Sequence, residues 1–151
     1  MQGFWKIWMT IWCWGVLLFG VVLALVVVPV ADAAPRFVFA MLSGDRAKVA
    51  LLDQSPMKFG LGLQGALTIG WALTMLTMVR AANVGGAPIW RALTVALLAW
   101  FVIDSAISVI TGFPLNAVSN ALLMASYLAS VLATGVWRTD GGARAAPSSR
   151  P

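Results

Sequence analysis

The polar residues of this 151-residue chain fall in a few narrow windows between long apolar runs. Crossing a hydrocarbon core of about 30 Å takes about 20 helical residues at 1.5 Å each. Four runs reach that length: Ile7 to Val30, Leu61 to Val79, Ala92 to Thr111 and Leu115 to Val136. Between them lie a 30-residue connection, a short Gly/Pro loop ("RAANVGGAPIWR") and a tight turn ("TGFP"). The pattern predicts an all-α fold: one domain, residues 1–137, built as an integral membrane bundle of four transmembrane helices. The Gly/Ala/Pro/Ser tail, residues 138–151, has too little apolar surface to fold and is expected to be disordered.

The first connection, "RFVFAMLSGDRAKVALLDQSP", carries apolar patches at Phe37–Leu42 and Val49–Leu52 separated by Ser43-Gly44-Asp45. Two readings stand: a pair of short helical turns lying in the outer interface, or a partly ordered linker. "ADAAP" at 31–35 has the small-x-small look of a signal-peptidase site. The preceding run is longer than the 7–15 residues of an h-region and contains Trp12 and Trp14, so a retained helix is expected.

Composition agrees with the runs. Only 10% of residues are charged and 61% are hydrophobic, whereas a soluble domain carries roughly 25% charged residues. Charge placement gives an orientation. With the N-terminus inside, cytoplasmic segments carry six positives: Lys6, Arg80, Arg91, Arg138, Arg144 and Arg150. The opposite side carries four, Arg36, Arg46, Lys48 and Lys58, offset by Asp32, Asp45 and Asp53. The bias predicts both termini in the cytoplasm. Trp5, Trp8, Trp90 and Trp137 fall at span ends on one side, as an aromatic belt would, and the remaining Trp and Met residues read as lipid-facing bulk. The net charge of +5 flanks membrane segments, so the expected partners are membrane lipids and not nucleic acid.

Several chemistries are excluded. There is no His and no Glu, and the single thiol, Cys13, lies inside the first span. Imidazole metal or haem ligation, a CxxC redox pair and Ser/His/Asp or Cys/His catalysis all lack their residues. No enzyme activity, cofactor or metal is expected. "GLGLQG", residues 60–65, matches G-x-G-x-x-G literally, but it enters a membrane span and has Arg80 where a ribose-binding acid should stand.

The polar residues inside the spans carry what chemistry remains. Counted from Gly112, Ser108 and Asn116 are each four residues away, and Asp104 and Asn120 eight. In a helical hairpin, residues equidistant from the turn sit at one depth, and i, i+4 pairs share a face. A polar seam between the third and fourth spans follows, with Asp104 facing Asn120 about 12 Å below the turn. Gln64 and Thr68, also i, i+4, would extend the seam into a small polar pocket. Such residues act either as interhelical glue or as a ligand or proton site.

A second pattern concerns packing. Ala117, Ala121, Ala125, Ala129 and Ala133 recur every fourth residue, as do Gly62, Ala66 and Gly70. Small residues at this spacing let helices approach closely, within the chain or against a partner.

The segments "GALTIGWALTMLTMVR" and "AWFVIDSAISVITGFPLNAVSNALL" resemble small four-helix membrane proteins of bacteria. The likeness rests on Gly65, Gly70, Trp71, Trp100, Phe101, Asp104, Ser105, Ser108, Gly112, Asn116 and Asn120, and covers about residues 60–123. It implies a multi-pass protein of the bacterial inner membrane and brings no activity with it. Two functions are therefore expected. The first is a non-enzymatic accessory or scaffold subunit, packing against itself or a larger membrane complex through the Gly/Ala faces. The second is a small carrier or binding protein holding a neutral or protonatable solute near Asp104 and Asn120.

Overall fold

The computed structural model describes residues 1–138, which fold into five α-helices and two 3-10 turns. All but one residue of the polar tail therefore lies outside the described residues. The helices are α1 (Phe4–Ala24), α2 (Ala33–Ser43), α3 (Ser55–Gly85), α4 (Ala87–Ile110) and α5 (Pro114–Thr134). With the 3-10 turn Leu25–Val27 added to α1, the four long helices are each long and apolar enough to cross a membrane. The chain is a multi-pass membrane protein.

The boundaries differ from the apolar runs for local reasons. The first span stops at Val27 and not at Val30: Val28 is extended ahead of Pro29, a conformation that proline imposes on its predecessor. α3 starts six residues earlier than its apolar run and ends six later. Lys58 and Arg80 end the oily stretch without ending the helix, because both are good helix formers. "RAANVGGAPIWR" is consequently not a loop. α3 continues to Gly85, Gly86 alone makes the break with φ 76°, and Pro88 sits in the first turn of α4, where its missing N–H leaves no helical bond unmade. "GLGLQG" lies wholly inside α3, so its backbone N–H groups are engaged in the helix and form no phosphate cradle.

The first connection is helical. Gly44 closes α2 in a left-handed conformation, φ 69°. Asp45 then caps the 3-10 turn Arg46–Asp53, its side chain accepting from the Ala47 N–H at 2.9 Å. Arg36 ties the two ends of the segment together by donating to Asp32 at 2.8 Å and to Asp53 at 2.5 Å. The Arg36 hydrogen bond and charge hold the Asp53 carboxyl below its ordinary range.

The long helices associate as two close pairs, α1 with α3 and α4 with α5. α1 and α3 meet at glycine. A Cβ on Gly65 would lie 2.4 Å from the Ala24 amide nitrogen and 2.7 Å from the Gly20 carbonyl oxygen, so only hydrogen fits there. This corrects the expected packing face of α3 at Ala66 and Gly70. Gly62 faces the Val27 and Val26 side chains, a Cβ there lying 3.1 Å from Val27 Cγ1, whereas Ala66 is exposed and Gly70 faces open space. Gly65 stands three residues from Gly62, only about 60° round the helix, so both glycines lie on the side turned to α1. On α5 the alanine stripe also points away from the other helices: Ala121, Ala125, Ala129 and Ala133 are exposed and Ala117 is half-buried.

At the end near both termini, Met9, Trp12, Cys13, Met75, Trp90, Leu97 and Tyr127 form one continuous core. Trp90, expected at a lipid–water boundary, is 1% exposed and belongs to that core. Trp12 and the buried Met9, Met75 and Met124 likewise face inward and not toward lipid. Tyr127 is sealed in with its hydroxyl 3.0 Å from that of Thr94, which meets the need of a buried phenol for a partner.

Candidate functional site

The α4–α5 hairpin is closed by three residues, Thr111 to Phe113. Gly112 takes φ 79°, and Phe113, at φ −119° and ψ 57°, is held out of the helical region ahead of Pro114. The Phe113 N–H donates back to the Ser108 carbonyl at 2.7 Å, and the Asn116 N–H to the Phe113 carbonyl at 3.0 Å. A turn this short leaves the helices antiparallel, so residues equidistant from Gly112 meet. Asn116 donates one N–H to Ser108 Oγ at 2.7 Å and the other to Asp104 Oδ2 at 3.1 Å. Asn120 donates to the same Asp104 Oδ2 in a short hydrogen bond, and to Ser105 Oγ at 3.4 Å. Ser108 and Asn120 are each 6% exposed. The two helices are thus laced by four side-chain contacts at two adjacent depths.

The seam is one wall of a cleft of about 460 Å³ between the two helix pairs, with α2 across one end. The expected pocket residues Gln64 and Thr68 line this cleft from α3, but they do not bond to the seam. The Thr68 hydroxyl donates to the Gln64 carbonyl at 2.8 Å, within its own helix. The seam and the α3 residues therefore face one another across space.

Three acceptors of the seam remain available. Both asparagine amides use their N–H groups on Asp104 and the serines, so their carbonyl oxygens are without a donor among the described residues. Asp104 Oδ1 is likewise without one. No cation stands within 4 Å of the Asp104 carboxylate, since both ion pairs among the described residues belong to Arg36.

The rest of the lining is aromatic and aliphatic. Trp100 lies one helical turn before Asp104 on the same face of α4, and Trp71 lies three residues after Thr68 on α3. Their rings sit 5.2 Å apart with planes 35° apart, both half-buried and both lining the cleft. At the opposite end Phe39 of α2 packs edge-on against Phe113, with centroids at 5.1 Å. Lys48 fastens this end: its Nζ donates to the Gly112 carbonyl at 2.5 Å and lies 4.9 Å from the Phe113 ring centroid. The i, i+4 spacing of Trp100 and Asp104 was visible in the sequence as a shared face. The partnerships of Phe39 and Lys48 with the hairpin turn have no local signal, because they join positions more than 60 residues apart.

No family model, curated protein or solved structure matches the chain.

Proposed function

We propose that this protein is a small binding or carrier protein of the bacterial inner membrane, holding a solute in the cleft beside Asp104 and Asn120. Both termini lie in the cytoplasm, and α2 with the following 3-10 turn lies in the outer interface. The observation that carries the reading is the pairing of a roomy, largely apolar cleft with three uncommitted acceptors on one wall. Small-molecule sites share this design: about 300–1,000 Å³, mostly apolar, with a few convergent polar groups. Interhelical glue alone needs no adjacent void, since polar contacts in membranes form between helices in direct contact.

The test uses 1-aminoanthracene, a fluorescent apolar probe that is neutral at pH 7 and carries an NH₂ donor. In nanodiscs holding the full chain, saturable binding above the empty-nanodisc background is expected. Ser119→Trp, which adds bulk to the cleft lining, should abolish it while the helical circular dichroism is unchanged. Equal binding by both proteins would mean that the solute sits elsewhere.

A second reading has its own observation. Four alanines in strict register are exposed on α5, a smooth face on which another helix fits closely. Self-association, or docking to a larger membrane complex as an accessory subunit, follows from that face and is compatible with a filled cleft.

A further inference from the structure

We infer that the solute of this cleft is an amphiphilic monocation: an organic ammonium or similar centre carrying an aromatic or alkyl body. The inference deepens the binding reading above and rests on it. Its basis is charge complementarity. Asp104 is the only acidic residue within the four spanning helices, and no cation among the described residues stands beside it. Ionisable groups at membrane depth pair with opposite charge or face a functional cavity. Here the seam supplies hydrogen bonds to one carboxylate oxygen and leaves the other without a donor among the described residues, on a side chain that lines the cleft. The two asparagine carbonyls add partial negative charge at the same place, so three acceptors of the wall stand uncommitted among the described residues.

The aromatic wall argues the same way. Trp71 and Trp100 meet one helical turn from the carboxylate, and indole faces attract cations that lie within about 6 Å of the ring. An inorganic ion does not fit the lining, because hard cations take six or more oxygen ligands and most of this surface is carbon. A neutral solute would satisfy the acceptors but would leave the carboxylate without counter-charge. Lys48, at the far end about 12 Å along α4 from Asp104, is held by the Gly112 carbonyl and does not reach the seam.

The test is displacement of bound 1-aminoanthracene from the full-length protein in zwitterionic nanodiscs. Zwitterionic lipid removes the general attraction of cations to anionic headgroups. The competitors are phenyltrimethylammonium and its neutral isostere tert-butylbenzene, each corrected for partitioning into empty nanodiscs. The cation should displace the probe at a concentration about tenfold lower, the size of a single favourable charge or cation–π contact. Asp104→Asn should erase that preference, with the probe's own affinity for the variant measured first and used to scale both competitors. Trp100→Leu, which keeps the charge, should reduce the preference severalfold and stands as the decisive variant if Asp104→Asn does not fold. Equal displacement by the two competitors in the wild-type protein would overturn the cationic assignment and leave the cleft-binding reading intact. Preference for the cation that survives in both variants would also overturn it. Absence of saturable probe binding would instead remove the reading on which the inference rests.

Discussion

Replacing Gly65 by alanine tests the glycine contact between α1 and α3. The new Cβ would stand 2.4 Å from the Ala24 nitrogen, 2.7 Å from the Gly20 oxygen and 2.9 Å from the Ala24 Cα. Ordinary heavy-atom contacts lie near 3.5–4.0 Å, so α1 and α3 would have to part by about 1 Å. Every clashing atom is backbone and no rotamer change relieves it, which places the strain at the upper end of the usual 1–3 kcal/mol for overpacking. Alanine's better helix propensity offsets about 1 kcal/mol, leaving a net loss of about 2 kcal/mol. Gly70→Ala makes the same chemical change five residues on, where the Cβ meets open space, and should gain up to about 1 kcal/mol. The two variants should therefore differ by about 3 kcal/mol. Reversible unfolding by steric trapping in bicelles measures both. Equal stabilities would refute the Gly20–Gly65 crossing and return α3 to a face including Gly70.

Two further outcomes follow from the same contacts. Ala121→Leu with Ala125→Leu should leave the folded monomer within about 0.5 kcal/mol, because both positions are exposed, yet abolish self-association measured by intermolecular FRET in proteoliposomes. Unfolding of the monomer would instead mean that the stripe is packed within the chain. The second concerns acid. Asp53 is held below the ordinary carboxyl value, about 3.9, first by the Arg36 hydrogen bond and then by the Arg36 charge. The stabilisation from a lowered carboxyl is complete above the ordinary value and fades as pH falls through the folded one. Backbone NMR shifts of residues 33–53 should thus be constant from pH 7 to pH 5 and move only below about pH 4; movement already at pH 6 would contradict the Arg36 tie.

What the sequence disclosed follows the range of the physics involved. The Asp104–Asn120 and Ser108–Asn116 matches were legible because Gly112 and Pro114 fix a short turn, after which equal depth is a matter of counting. The existence of α2 was only half legible, since its Phe37–Leu42 patch is brief, although Gly44 marks its end clearly. Helix lengths were read short at α3 because hydropathy registers where lipid is favourable and not where hydrogen bonding stops. Packing faces were the least legible. Gly60, Gly62, Gly65 and Gly70 offer several small-residue registers, and choosing Gly65 requires knowing that Gly20 of α1 comes to meet it. The cleft is of the same kind: Trp71 and Trp100 belong to different helices, and nothing local in either segment states that their rings meet beside the carboxylate.

Asp104 and Asn120 act on one another across the α4–α5 hairpin at the wall of the cleft. A double-mutant cycle of Asp104→Ala and Asn120→Ala, with stability read by steric trapping in bicelles, isolates that interaction. The coupling should be favourable by about 0.6–1.7 kcal/mol, the range of hydrogen bonds between membrane helices. Strictly additive losses, with no coupling, would contradict it.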